Sequence, residues 1–199
     1  MPIIFISLNK GFLKNINKYG FNTLFMKTID FKPNKKTYYI LPTNSLGLVN
    51  CNINLTLCKN KFSSIEATID KTLKSLNITN LLGQNYLPIG SSIIIDYDND
   101  ESIVISPIML SNQNISKTNN IYYFTMSILH NILINKKENI EDIDIIFTSL
   151  ICCYNKDDNE ESINQIIKGF KNYHLYKPLI VSNNIIIHKL TLSEQQKKI

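Results

Sequence analysis

Arginine and tryptophan are absent from this chain, and Ala67 is its one alanine. Glycine and proline are scarce, at six residues each in 199. An AT-rich coding bias accounts for the pattern, because Arg, Ala, Gly and Pro use GC-rich codons while the abundant Asn, Ile and Lys use AT-rich ones. The consequence is physical. Without guanidinium forks, a phosphate site here has to rely on Lys, backbone N–H groups and helix N-termini. No apolar run reaches the ~20 residues needed to cross a bilayer. Ile3 to Leu8 is too short for the apolar core of a signal peptide and has no charged segment before it. These absences predict an intracellular, cytoplasmic protein with no membrane partner.

Cysteine is also sparse. Cys51 and Cys58 lie seven apart, Cys152 and Cys153 are adjacent, and neither pair has C-x-x-C spacing. His130, His174 and His188 are far apart and match no zinc motif. The expectation is a reduced protein with no metal and no cofactor, although Cys51 and Cys153 fall in loops placed at one end of the sheet and could meet there. Cys152 and Cys153 have no neighbouring His and carboxylate to activate a thiolate, so no catalytic residue is assigned. The formal charge of +5 comes from scattered lysines. A dedicated nucleic-acid binder shows a denser basic stripe, often with aromatic residues, so RNA binding enters only as an alternative.

What is present is an alternation of strand-like and helix-like segments. Pro2 to Leu8, Asn22 to Ile29, Thr37 to Leu41 and Ile143 to Leu150 read as strands. Ser91 to Tyr97 and Ser102 to Pro107 read as two more, joined by an acidic turn. Asn9 to Gly20, Leu55 to Leu76, Ile121 to Leu133 and Ser162 to Tyr173 carry apolar residues at helical spacing. Asn155 to Glu161 reads as a charged loop whose acids open the next helix, and Ser116, Thr118 or Asn119 is available to cap the helix at Ile121. A short hairpin around Ser182-Asn183-Asn184 and a polar tail follow. Buried-type strands alternating with helices argue an α/β domain of three α/β/α layers over a mixed sheet. It is expected to span residues 1–175, with the hairpin and tail in 176–199.

The most informative segment is Tyr38-Tyr39-Ile40-Leu41-Pro42-Thr43-Asn44-Ser45-Leu46-Gly47. An apolar strand runs straight into an amide, a hydroxyl and a glycine, at the end of the strand where open α/β sheets bind ligands. Asn44 can both donate and accept, so it could grip a ribose hydroxyl or a water. With Ser45, it could equally bond its own backbone in a strand-end turn.

Pro42-Thr43-Asn44-Ser45-Leu46-Gly47, Leu87-Pro88-Ile89-Gly90, Ser106-Pro107-Ile108-Met109 and Ile115-Ser116-Lys117-Thr118-Asn119-Asn120-Ile121-Tyr122 form a series of landmarks. In this order they resemble the macrodomain family, and in particular its divergent members in large DNA viruses and phages. The resemblance implies a macrodomain-like fold and a cleft for ADP-ribose or a related nucleotide. It implies ligand contacts from Asn44, Ser45, Gly47, Asn52, Asn54, Thr118, Asn119 and Tyr154. Where the family usually carries Gly-Gly-Ile-Asp, this chain has Cys51-Asn52-Ile53-Asn54. Side chains at Cys51 and Asn52 would crowd a ribose, and the amide of Asn54 cannot act as a general base. The family's second phosphate loop is glycine-rich, whereas Ser149 to Lys156 holds no glycine. The resemblance therefore implies a degenerate macrodomain that acts by binding, as a nucleotide binder or as a protein–protein subunit of a larger (viral) assembly. An ADP-ribose hydrolase and an RNA or RNA-end binding module are the alternatives.

Overall fold

The computed structural model describes residues 3–7, 9–25, 34–48, 61–110, 115, 117–148, 158–175, 178–182 and 185–188. Six strands form one sheet: β1 (Ile3–Ile6), β2 (Asn22–Leu24), β3 (Lys36–Asn44), β4 (Ile93–Asp96), β5 (Glu101–Met109) and β6 (Ile143–Thr148). Their order is β2-β1-β6-β3-β5-β4. The first five in that order run parallel, and β4 closes one edge antiparallel to β5. Among the described residues four α-helices accompany them: α1 (Lys10–Asn17), α2 (Ile65–Leu76), α3 (Asn120–Leu129) and α4 (Asp158–Asn172). A π-helical turn, His130–Asn135, extends α3, and a separate antiparallel pair, β7 (Pro178–Ser182) and β8 (Ile185–His188), follows α4.

The expected elements are found in the expected order, with changes at their ends: β2 stops at Leu24 where the expected strand reaches Ile29, of which 26–29 lie outside the described residues, α1 ends at Asn17 and β5 runs on to Met109. Of the helix expected over Leu55 to Leu76, residues 55–60 lie outside the described residues, 61–64 form a turn, and α2 runs over Ile65–Leu76. Phe62 fits the helical spacing, yet it sits before the helix and packs edge-on to Tyr39 and Tyr97. Of the charged loop placed at Asn155 to Glu161, residues 155–157 lie outside the described residues and the rest is helix from Asp158, which puts Glu160 and Glu161 in the first turn of α4, where they meet the helix dipole. Strand β3 extends to Asn44, beyond the expected Leu41.

Side chains alternate across β3 and so reach two cores. Tyr38 and Ile40 join the cluster built with Phe12, Leu13 and Ile16 of α1, Phe124 of α3 and Ile163 of α4. Tyr39 and Leu41 join the cluster built with Ile65, Ile69 and Leu73 of α2. Helices α1, α3 and α4 thus cover one face and α2 the other. Each fully buried aliphatic or aromatic side chain contributes about 1.5–3 kcal/mol. Helix α1 buries Phe12, Leu13 and Ile16, and Asn9 caps it by accepting from the Phe12 N–H at 3.1 Å.

Candidate binding cleft at the carboxyl end of β3

The chain changes sides at β3. Helix α2, which follows β3, lies on one face, while α4, which follows the neighbouring β6, and α3, which follows β5, lie on the other. In open α/β sheets such a switch point opens a crevice beyond the carboxyl ends of the strands. Among the described residues the ladder between β3 and β6 runs as far as Ile40–Phe147, and β3 is paired with β5 as far as Asn44. The Ile40 carbonyl faces β6, where it accepts from the Thr148 hydroxyl at 2.6 Å. Two residues on, Pro42 turns its nitrogen to the same side and has no N–H to offer.

Beyond Thr43 the register with β5 shifts, and Asn44 pairs with Met109 in place of Ile108. Asn44 is buried. Its side-chain oxygen accepts from the Leu46 and Leu48 N–H groups, both at 3.0 Å. The oxygen is therefore spent on an Asx turn, and the amide N–H2 is what remains for a ligand. Ser45 is committed as well. Its N–H and hydroxyl both donate to the Met109 carbonyl, at 2.9 and 3.3 Å. Its own carbonyl accepts from Leu87 at 2.7 Å, tying the Leu87–Gly90 segment to the turn. Gly47 has φ +76° and faces α2. A Cβ there would lie 2.7 Å from Ile69 Cγ2 and 2.8 Å from Leu73 Cδ1, so this glycine serves turn geometry and helix approach together. The residue that sequence reasoning passed over is Thr43. It is 3 % exposed, and its hydroxyl meets no hydrogen-bond partner.

Thr118 and Asn119 lie at the entrance to α3. Asn119 occupies the N-cap position, is exposed, and makes no side-chain cap bond. Thr118 does the local work, donating to the Ile115 carbonyl at 2.7 Å and accepting from the Asn120 N–H at 3.3 Å. Two residues with no sequence signal complete the junction. Asn120 donates to the Ile108 carbonyl at 2.9 Å. Gln165 of α4 accepts from the Tyr122 N–H at 3.1 Å and donates to the Thr118 carbonyl at 2.6 Å. Successive carbonyls of β5, Ile108 and Met109, therefore hold the α3 entrance and the Asn44–Gly47 turn at one end of the sheet. Asn52, Asn54, Tyr154 and the four cysteines lie outside the described residues.

The residues gathered here, 43–47, 107–109, 118–120 and 147–148, carry no titratable side chain. The ionisable groups of the central strands cluster at the opposite end. Tyr38 donates to Glu138 at 2.7 Å, and Lys36 pairs with the same carboxylate. Tyr39 donates to Glu101 at 3.0 Å, and Lys61 pairs with that carboxylate. Burial, reinforced by Glu138, pushes the Tyr38 hydroxyl up to about 12. Burial and Glu101 push Tyr39 up as well. Burial alone would raise the Glu138 carboxyl, but the hydrogen bonds from Lys36 and Tyr38 outweigh it and hold the group below its ordinary 4.5. Among the described residues no group of three or more His, Cys, Asp or Glu side chains could hold a metal ion, and no helix is long and apolar enough to cross a membrane. No protein-family model matches the chain, and no curated protein matches it.

Proposed function

We propose that this protein is a non-hydrolytic binding module of the macrodomain type that takes a nucleotide related to ADP-ribose at the carboxyl end of β3. The observation that carries the reading is the switch point itself, with α2 on one face of the sheet and α3 and α4 on the other. The sequence landmarks that resemble macrodomains converge on the same place, since the Asn44–Gly47 turn, Leu87 and Met109 are hydrogen-bonded to one another. A nucleotide sugar suits the remaining chemistry. The free N–H2 of Asn44 is a donor for a ribose oxygen, and the Thr43 hydroxyl can donate or accept. Hydrolysis would need a positioned acid or base. Among the described residues the strand ends supply none, and Glu161, at the start of α4, is hydrogen-bonded by Gln165 at 3.1 Å. The amide Asn54 and the glycine-free segment Ser149 to Lys156 point the same way.

Calorimetric titration with ADP-ribose, with AMP and a short RNA as controls, tests this. Saturable ADP-ribose binding is expected. Asn44→Asp is the informative variant, because it keeps the oxygen that closes the turn and removes the N–H2. Its affinity should fall by about tenfold, the scale of one lost hydrogen bond in a partly buried site. Absence of binding in the native chain rejects the ligand class. Binding that Asn44→Asp leaves unchanged rejects the site.

A further inference from the structure

We infer that the outer face of α1 is a second binding surface, separate from the β3 cleft, and that its ligand is a single-stranded nucleic acid. Lys10, Lys14 and Lys18 recur every four residues, and all three are exposed. The helix continues in right-handed geometry through Lys18, so the three form one stripe. At 1.5 Å per residue, neighbouring ammonium groups rise by about 6 Å along the axis, and the stripe spans about 12 Å. That repeat is comparable to the phosphate spacing of an extended sugar–phosphate strand. The stripe lies opposite Phe12, Leu13 and Ile16, which bury the helix on the sheet.

Two observations separate this stripe from an ordinary solvated helix face. The first is the absence of counter-charge. Residues 1–29 contain four lysines and no acid, the first acid being Asp30. None of the ion pairs among the described residues involves Lys10, Lys14 or Lys18. In the same layer, Glu161 is held by Gln165, whose other partners belong to the α3 entrance. The second is the placement of aromatic rings at both ends. Tyr19 follows Lys18 and is 51 % exposed, and Phe25 is 49 % exposed beneath the Lys10 ammonium at 5.0 Å. Rings beside a row of cations are what a single strand needs, since bases stack on the rings while the phosphates meet the lysines. A duplex hides its base faces and would leave both rings unused. With no arginine in the chain, the contact is made by point charges and carries little sequence preference.

The test is fluorescence anisotropy of labelled oligouridylate against the full chain over a range of salt concentrations. Each phosphate neutralised on a single strand contributes about 0.7 to the slope of log affinity against log salt. The variant Lys10→Gln/Lys14→Gln/Lys18→Gln should therefore lower the slope by about 2 and weaken binding at low salt. Tyr19→Ala with Phe25→Ala should weaken binding and leave the slope unchanged. Lys71→Gln, an exposed lysine on the opposite face, is the control and should change the slope by no more than one contact. Thermal melts of the triple variant should match the native chain, because the exchanged side chains are exposed. The inference is overturned if oligouridylate fails to bind or if the triple variant keeps the native slope. It is overturned equally if duplex binds as well as single strand, or if the stripe is needed for flotation with phosphatidylserine vesicles and not for oligouridylate. ADP-ribose titration of the triple variant should be unaffected, so this surface and the β3 cleft can fail separately.

Discussion

At the amino end of β3, Tyr38 and Tyr39 send their hydroxyls to opposite faces of the sheet, and each meets a carboxylate that also holds a lysine. At the carboxyl end of the same strand, Thr43 buries a hydroxyl that meets nothing, and Asn44 keeps an amide N–H2 in reserve. The first end has every buried polar group matched, as a region selected for stability should. The second leaves hydrogen-bonding capacity unspent where the topology opens a crevice. An unpaired buried hydroxyl costs about 1–3 kcal/mol, and proteins tolerate such costs chiefly where they do their work. On the proposed reading, the contrast along one strand marks the ligand site.

The comparison can be broken or sharpened by substitution. Gly47→Ala should have the largest effect. It places a Cβ at positive φ against Ile69 and Leu73, and left-handed strain plus crowding should cost about 2–3 kcal/mol in denaturant unfolding. Glu138→Ala should cost about 2 kcal/mol, because it strands the fully buried Tyr38 hydroxyl and leaves Lys36 unpaired. A negligible effect there would erase the distinction between the two ends. Thr43→Val runs the other way. It removes the orphan hydroxyl at nearly constant volume and should stabilise the fold by about 1 kcal/mol, a rise of about 2–4 °C in Tm. If the cleft is functional, it should also weaken ADP-ribose binding. A Tm that falls would mean that the hydroxyl has a partner in solution.

The smallest effect is acid sensitivity. Burial depresses His130 below its ordinary 6.5, although a backbone contact from Tyr173 opposes the shift. The unfolded chain then binds the proton first, so stability is complete above pH 6.5 and falls as pH drops below it. Glu138 and Asp96 are also held below their ordinary values of 4.5 and 3.8. In both, burial is outweighed by hydrogen bonds, from Lys36 and Tyr38 to Glu138 and from Ser102 and Lys136 to Asp96. Their contribution is present above those values and is lost as pH falls through the folded ones. Melting temperature against pH should decline gently from pH 6.5 and more steeply below 4.5. His130→Asn should flatten the upper part of that curve.

Local signals were legible where local physics decided the outcome. The run Tyr38 to Leu41 is buried on both faces and reads as a central strand. Helix α1 shows its apolar stripe in Phe12, Leu13 and Ile16. The start of α2 was obscured because Phe62 keeps the helical period for a tertiary reason, its packing against Tyr39 and Tyr97. At the cleft, Asn44, Ser45 and Gly47 could be picked out, but not how they divide their hydrogen bonds. The Asn44 oxygen turns inward to Leu46 and Leu48, and Ser45 is tied to Met109. Asn120 and Gln165 gave no warning. Their partners, Ile108 and Tyr122, come close only once the sheet and its helices have assembled.

The position of β6 has a consequence for how the chain comes into being. β6 lies between β1 and β3, pairing Ile3 with Ile145 and Lys36 with Ile143. Until residues 143–148 have been synthesised, β1 and β3 have no common neighbour, and each presents an open edge to the cell. A nascent chain can close the local β4–β5 hairpin early, but the parallel centre has to wait for its last strand. Such long-range pairing is slow and leaves edges open to misassembly. A truncation within β6 would therefore yield two separated fragments of sheet in place of a smaller domain.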